Sequence, residues 1–146
     1  RADLVALAKQ LGVFDRVTFI GTLGPHEVKQ YIHAARALAF PSVSEAEAFG
    51  LVQLEAMSAG KPVVNTALPT AVPTIARDGE EGLTVPPGDP IAFAGALSRL
   101  LDQPDLAARL GDAGKRRVHS EYSQSLFLSR MQDIYKQALQ RRTQER

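Results

Sequence analysis

The chain has 146 residues, 45% of them hydrophobic and 23% charged, which suits one compact domain with one core and leaves no tract polar enough for long disorder. Seventeen basic and 16 acidic residues give a formal net charge of +1, so no chain-wide positive field exists to hold nucleic acid or an anionic bilayer. The absence of cysteine excludes a disulfide framework and thiolate chemistry. No apolar run approaches the ~20 residues of a membrane span, so a cytoplasmic protein is expected.

The first predicted element is a helix over 2–11, with Leu4, Leu7, Ala8 and Leu11 on one face and Gly12 as its stop. A strand over Val17-Thr18-Phe19-Ile20 follows, ending in the loop Gly21-Thr22-Leu23. A helix over 25–35 opens on Pro25, whose fixed φ suits a first turn. Ala37-Leu38-Ala39-Phe40 reads as the second strand. A helix over 50–59 is closed by Gly60 and Pro62. The remaining strands are Pro62-Val63-Val64-Asn65 and Gly82-Leu83-Thr84-Val85, nearly unbroken apolar runs of the kind buried on both faces of a parallel sheet. Helices over 90–101, 104–118 and 123–142 complete the chain, with a polar tail from Arg141 to Arg146 expected to fray. Strands alternating with helices predict an α/β fold, a Rossmann-like parallel sheet with helices on both faces, whose loops at the carboxyl ends of the strands are the places to bind a ligand.

The most informative stretch is Pro41-Ser42-Val43-Ser44-Glu45-Ala46-Glu47-Ala48-Phe49-Gly50-Leu51-Val52-Gln53-Leu54-Glu55-Ala56-Met57, which reads strand, loop, helix. The loop delivers Phe49-Gly50-Leu51 to a helix N-terminus. There the backbone N–H groups lack intrahelical partners and the macrodipole is positive, a setting for a diphosphate. Gly50, without a Cβ, lets a ligand approach the backbone. Glu47 precedes this helix and Glu55 lies inside it. Neither helps to hold a bare diphosphate, but a carboxylate accepts paired hydrogen bonds from vicinal hydroxyls, so the pair fits a nucleoside diphosphate sugar.

These residues, followed by Gly60-Lys61-Pro62-Val63-Val64, resemble the E-x7-E region of the family 4 glycosyltransferases of GT-B fold, the glycosyl transferases group 1. Val17-Thr18-Phe19-Ile20-Gly21 and Phe40-Pro41-Ser42 upstream, and Asp78-Gly79-Glu80-Glu81-Gly82-Leu83-Thr84-Val85-Pro86-Pro87-Gly88-Asp89 downstream, are similar to that family's other landmarks, in the same order. The resemblance implies that residues 1–146 are the C-terminal, nucleotide-sugar-binding domain of a retaining transferase, beginning after its first two strand–helix units. It implies that Glu47 meets the donor sugar near the reacting centre as the catalytic group. The amides of Phe49, Gly50 and Leu51 would meet the diphosphate or the sugar, Glu55 the ribose, and Gly21 and Leu23 the base. No metal or other cofactor is expected. The acceptor, a glycan or a lipid-linked sugar, would be met by an N-terminal domain that also supplies the family's histidine. The family's basic phosphate pair would lie in the absent first units of the C-terminal domain. The whole enzyme would be cytoplasmic or peripheral at the inner membrane. In place of the family's Gly-Gly-x-Pro-Glu stretch the chain reads Leu68-Pro69-Thr70-Ala71-Val72-Pro73-Thr74, with Thr74 where the acid usually stands.

Plainer readings exist for each of these residues. Two glutamates beside a surface helix are ordinarily solvated charges, and Phe49 and Leu51 also fit a tight turn packed into the core. His26, His33 and His119 are scattered, and Arg77, Arg116 and Arg117 read as solvated faces. Asn65 and Thr66 stand at a strand end, as cleft residues or a capped turn. The alternative function is a nucleotide-binding or assembly module of the same fold that turns nothing over. The expected late start, after the domain's first two strand–helix units, leaves strand 17–20 without its neighbour, so the chain by itself is expected to be inactive and to associate with itself or with its other half.

Overall fold

The computed structural model describes residues 1–144. Helix α1 (Ala2–Gln10) and a 3₁₀ turn (Phe14–Arg16) lead through an extended segment to helix α2 (Pro25–Ala34) and strand β1 (Leu38–Ala39). Helix α3 (Leu51–Ser58), strand β2 (Val63–Thr66), the single turn α4 (Val72–Ile75) and strand β3 (Gly82–Val85) follow. Helices α5 (Pro90–Asp102), α6 (Pro104–Glu121) and α7 (Gln124–Gln144) end the chain. No helix among the described residues is long and apolar enough to cross a membrane.

The three strands form one parallel sheet in the order β1-β2-β3, with Val63 beside both Leu38 and Gly82. Alternation along β2 divides the core into two layers, because successive side chains of a strand point to opposite faces. Val63 packs with Ala56, Met57, Ile75 and Ala76 under α3, α4 and the end of α6, joined by Leu38, Phe40 and Phe49. Val64 packs with Leu83, Leu100 and Leu110 under α5 and the start of α6, joined by Phe93, Leu97 and Leu106. Met57, Ile75 and Leu110 are fully buried, and each such side chain contributes about 1.5–3 kcal/mol. Helix α6 approaches the turn after α3 closely because Gly111 lies against the Gly60 carbonyl, where a Cβ would collide.

The helix starts follow from local chemistry. Asp89 caps α5 by accepting from the Ile91 and Ala92 amides at 3.0 and 2.9 Å. Pro25, Pro90 and Pro104 occupy first-turn positions. The Glu27 carboxylate accepts from the Gly24 N–H at 2.8 Å at the start of α2.

One predicted strand is corrected. Val17–Ile20 forms no strand, and it is tied by the Val17 amide donating to the Phe14 carbonyl at 3.1 Å and by the Arg1 guanidinium donating to the Phe19 carbonyl at 3.0 Å. A strand requires a ladder partner, and among the described residues none runs beside this segment. Val17 and Ile20 stay about two-fifths exposed, and α1 buries only Ala8 of its predicted apolar face. At the other end α7 runs through Gln144, and so takes in the first residues of the polar tail. Residues 145 and 146 lie outside the described residues.

Candidate functional site

The loop between β1 and α3 is tied down along its length. The Phe40 amide donates to the Val64 carbonyl as the chain leaves β1, and the Thr66 hydroxyl donates to the Ser42 carbonyl at 2.6 Å. The Glu47 amide closes a turn on the Ser44 carbonyl, and the Ala71 amide reaches across from the next loop to the Ala48 carbonyl, both at 3.0 Å. The loop ends at Gly50, buried, with φ +75° and ψ +64°. A Cβ there would stand 2.8 Å from Gln53 Nε2 and 2.9 Å from the Phe40 ring, so glycine is required by conformation and by space.

Glu47 is half-buried at this point, and its Oε1 accepts from the Gly50 amide at 3.0 Å. Helix α3 has no acid in its own first turn, so Glu47 is the carboxylate that its positive end meets. Beyond Gly50 the Leu51 and Val52 amides are the first two of the helix and have no intrahelical acceptor. Phe49 packs against the core, as one plainer reading had it. Leu51 does not: as the first residue of α3 it is 69% exposed.

Glu55, one helical turn further along α3, faces a different space. A cavity of about 490 Å³ between α2 and α3 is lined by Leu23, Val28, Lys29, Ile32, His33 and Glu55, among others. Apolar walls with a few charged groups, at this size, suit a small-molecule ligand. The structure therefore brings Leu23 and Glu55 together and places Glu47, Phe49, Gly50 and Leu51 in a second group at the start of the same helix. Gly21 is exposed, with φ +74°, two residues before Leu23 and outside the cavity lining. A further cavity of about 450 Å³ opens at the carboxyl ends of all three strands, between Pro41, Thr66, Pro86 and Phe93, where the sequence reading offered Thr66 as a cleft residue.

Two polar residues near the site were given no role, or an open one, from sequence. Gln53 and Asn65 are fully buried and bonded to each other, Asn65 Nδ2 donating to Gln53 Oε1 at 2.9 Å. Asn65 thus turns into the core rather than toward a cleft. The signal was available: Gln53 shares a helix face with Ala56 and Met57, at the spacing of a core stripe. The arginines divide as well. Arg117 has a side chain only 13% exposed and pairs with Glu81 at 3.2 Å, so it is a structural ion-pair member rather than a solvated face.

A parallel Rossmann-like sheet, with a glycine turn opening a helix at its carboxyl edge and a ligand-sized cavity along that helix, defines an α/β protein with room for a small molecule beside α3. Residues 1–117 match the glycosyl transferases group 1, and the chain belongs to that family. It is 38% identical over 137 residues to the D-inositol 3-phosphate glycosyltransferase of Streptomyces coelicolor, a match covering 94% of this chain and 29% of the relative. Among solved structures it superposes on sucrose-phosphate synthase from Thermosynechococcus elongatus with a TM-score of 0.85 and 34% identity, covering 93% of this chain and 33% of that one. HepE of Anabaena in complex with UDP-glucose shares the fold at a TM-score of 0.85 and 21% identity, covering 93% of this chain and 36% of HepE. The chain thus spans about a third of the length of these proteins.

Proposed function

We propose that this chain is the donor-binding domain of a retaining glycosyltransferase, which transfers a sugar from a nucleoside diphosphate to a glycan or lipid-linked acceptor. The observation that carries the reading is the division of work along α3: free amides and Glu47 at its start, and Glu55 with Leu23 in a cavity one turn on. A nucleoside diphosphate sugar has its parts in the same order. The base meets the Gly21–Leu23 loop, the ribose hydroxyls donate to Glu55, and the diphosphate takes the Leu51 and Val52 amides, beside the Gly50 amide that Glu47 holds.

The chemistry follows from charge. Breaking the bond between sugar and diphosphate puts negative charge on the leaving oxygens, and backbone N–H groups already aimed there stabilise it without reorganising. Glu47 holds the sugar end. One of its oxygens is anchored on Gly50 and the other accepts from a sugar hydroxyl, which fixes the reacting carbon relative to the leaving group. The reading involves no metal, because the amides and the helix end supply the positive potential. The acceptor would be met by parts of the protein beyond these residues.

Calorimetric titration of the full-length protein with UDP, GDP and ADP, followed by transfer assays with the matching nucleotide sugars, tests the proposal. One nucleoside diphosphate is expected to bind, and its sugar to be turned over. Binding without turnover of any donor would favour the assembly-module reading. The absence of any nucleotide binding would overturn both.

A further inference from the structure

The peptide unit joining Phe49 to Gly50 is held from both ends. Its N–H donates to Glu47 Oε1 at 3.0 Å, and its C=O accepts from Gln53 Nε2 at 3.2 Å. Gln53 Nε2 also donates to the Val72 carbonyl at 3.2 Å. Gln53 Oε1 is taken by Asn65, which donates in addition to the Val72 and Ala76 carbonyls, while Asn65 Oδ1 accepts from the Thr84 hydroxyl at 2.7 Å. The amide orientation of Gln53 follows from its neighbours. With the group flipped, its oxygen would face two carbonyl oxygens and its nitrogen would face the Asn65 amide nitrogen.

A fully buried glutamine carries a desolvation penalty that an apolar residue of the same size would not. What an apolar residue would not do is fix two loop carbonyls. That matters at Gly50, because glycine accepts positive and negative φ almost equally and so does nothing by itself to keep the peptide from flipping. A planar peptide with its carbonyl fixed has its following N–H fixed as well. The grip on Phe49 therefore sets where the Gly50 amide points and the angle at which Leu51 enters the helix. The grip on Val72 joins this turn to the segment after β2, which the Ala71–Ala48 backbone bond also ties to it.

We propose that Gln53 is a positioning residue for the donor diphosphate, holding the Phe49–Gly50 peptide so that the amides at the start of α3 face the ligand. The proposal rests on the donor-binding reading above. It differs from a purely structural role in one respect: loss of Gln53 weakens the hold on phosphates and spares the hold on the nucleoside, which lies at Glu55 and Leu23.

The test compares the full-length wild type with Gln53→Met, which removes the donors at similar volume, and Gln53→Asn, which keeps the carboxamide but withdraws it by one methylene. Gln53→Asn carries the test if Gln53→Met does not fold. Each protein is titrated with the nucleoside diphosphate that the wild type binds and with the parent nucleoside. The expected result is a loss of about tenfold in affinity for the diphosphate, with nucleoside affinity unchanged within about twofold. Equal losses for both ligands, or no loss for either, would overturn the role of Gln53 and leave the donor-binding reading intact. A wild type that binds no nucleoside diphosphate would overturn that reading and this inference with it.

Discussion

Glu47 and Gln53 grasp opposite ends of one peptide unit, the carboxylate taking its N–H and the carboxamide its C=O. The left-handed turn at Gly50 lies between them, and the functional reading of this chain depends on how firmly that turn is held.

Gly50→Ala tests the turn itself. Alanine at φ +75° costs about 1–2 kcal/mol in backbone strain, and a methyl group 2.8 Å from Gln53 and 2.9 Å from the Phe40 ring adds about 1–3 kcal/mol of overpacking. The expected outcome is a loss of about 2–5 kcal/mol of stability, read as a fall of several degrees in Tm or in the denaturant midpoint. An unchanged midpoint would mean that the turn relaxes without penalty and that its geometry is not enforced.

Glu47→Gln separates anchoring from charge. The glutamine oxygen can still accept from the Gly50 amide, so the turn should survive, while the negative charge beside the sugar is lost. Turnover should fall about 100-fold with the donor KM changed by less than about threefold. Glu47→Ala should lose turnover and also weaken donor binding, because the Gly50 amide then lacks its partner. Wild-type kcat in Glu47→Gln would remove Glu47 from the reacting centre.

Glu55→Ala should act on the nucleoside instead. A carboxylate paired with ribose hydroxyls contributes about tenfold or more to affinity, so the variant should bind the preferred nucleoside diphosphate about 10–30-fold more weakly at nearly unchanged kcat. Removing the same hydroxyls from the ligand gives the control. The 2′,3′-dideoxy nucleotide should bind wild type and variant alike, and a Glu55 effect that persists with it would place the carboxylate elsewhere.

The legibility of this chain varied with how local the deciding forces were. All six predicted helices form within a few residues of their expected ends, since Pro25, Gly60, Asp89 and Pro104 act on their own neighbours. Strand β3 forms over the predicted residues because an apolar run between turn residues has few other places to go. Strand 17–20 failed because strand formation is a property of two segments, and its sequence says nothing about whether a partner lies beside it. The turn α4 escaped notice, being a single turn opened by Val72 and Pro73 inside a loop that departs from the family pattern. At the site, the sequence placed Glu47 just before the Gly50 turn, but the bond between them came only from the structure. The Gln53–Asn65 pair did too, because it depends on two elements twelve residues apart meeting in the core.

The last prediction concerns Glu81, which sits at the start of β3 and is only 2% exposed. Burial alone would push its carboxyl upward. Hydrogen bonds from the Arg77 side chain and backbone, with the charges of Arg117 and Arg77, outweigh that and hold it below the ordinary carboxylate value. Arg117 also donates to the Thr74 and Ile75 carbonyls, so the ion pair fastens α6 to α4 and, through Val72, to the support of the Gly50 turn. A carboxyl depressed in the folded state favours folding wherever it is ionised in both states. Its contribution is therefore complete above the unfolded value of about 4.5 and disappears as pH falls through the lower folded value. Glu81→Gln should lower stability by on the order of 1–3 kcal/mol at neutral pH, since Arg117 keeps its charge in a nearly buried position with only the half-exposed Glu121 left as its ion-pair partner. Denaturant unfolding of both proteins between pH 7 and pH 3 should show a constant gap down to about pH 5 and a shrinking gap below it. A gap that stays constant to pH 3, or that grows, would show that the Glu81 carboxyl is not held low by its arginines.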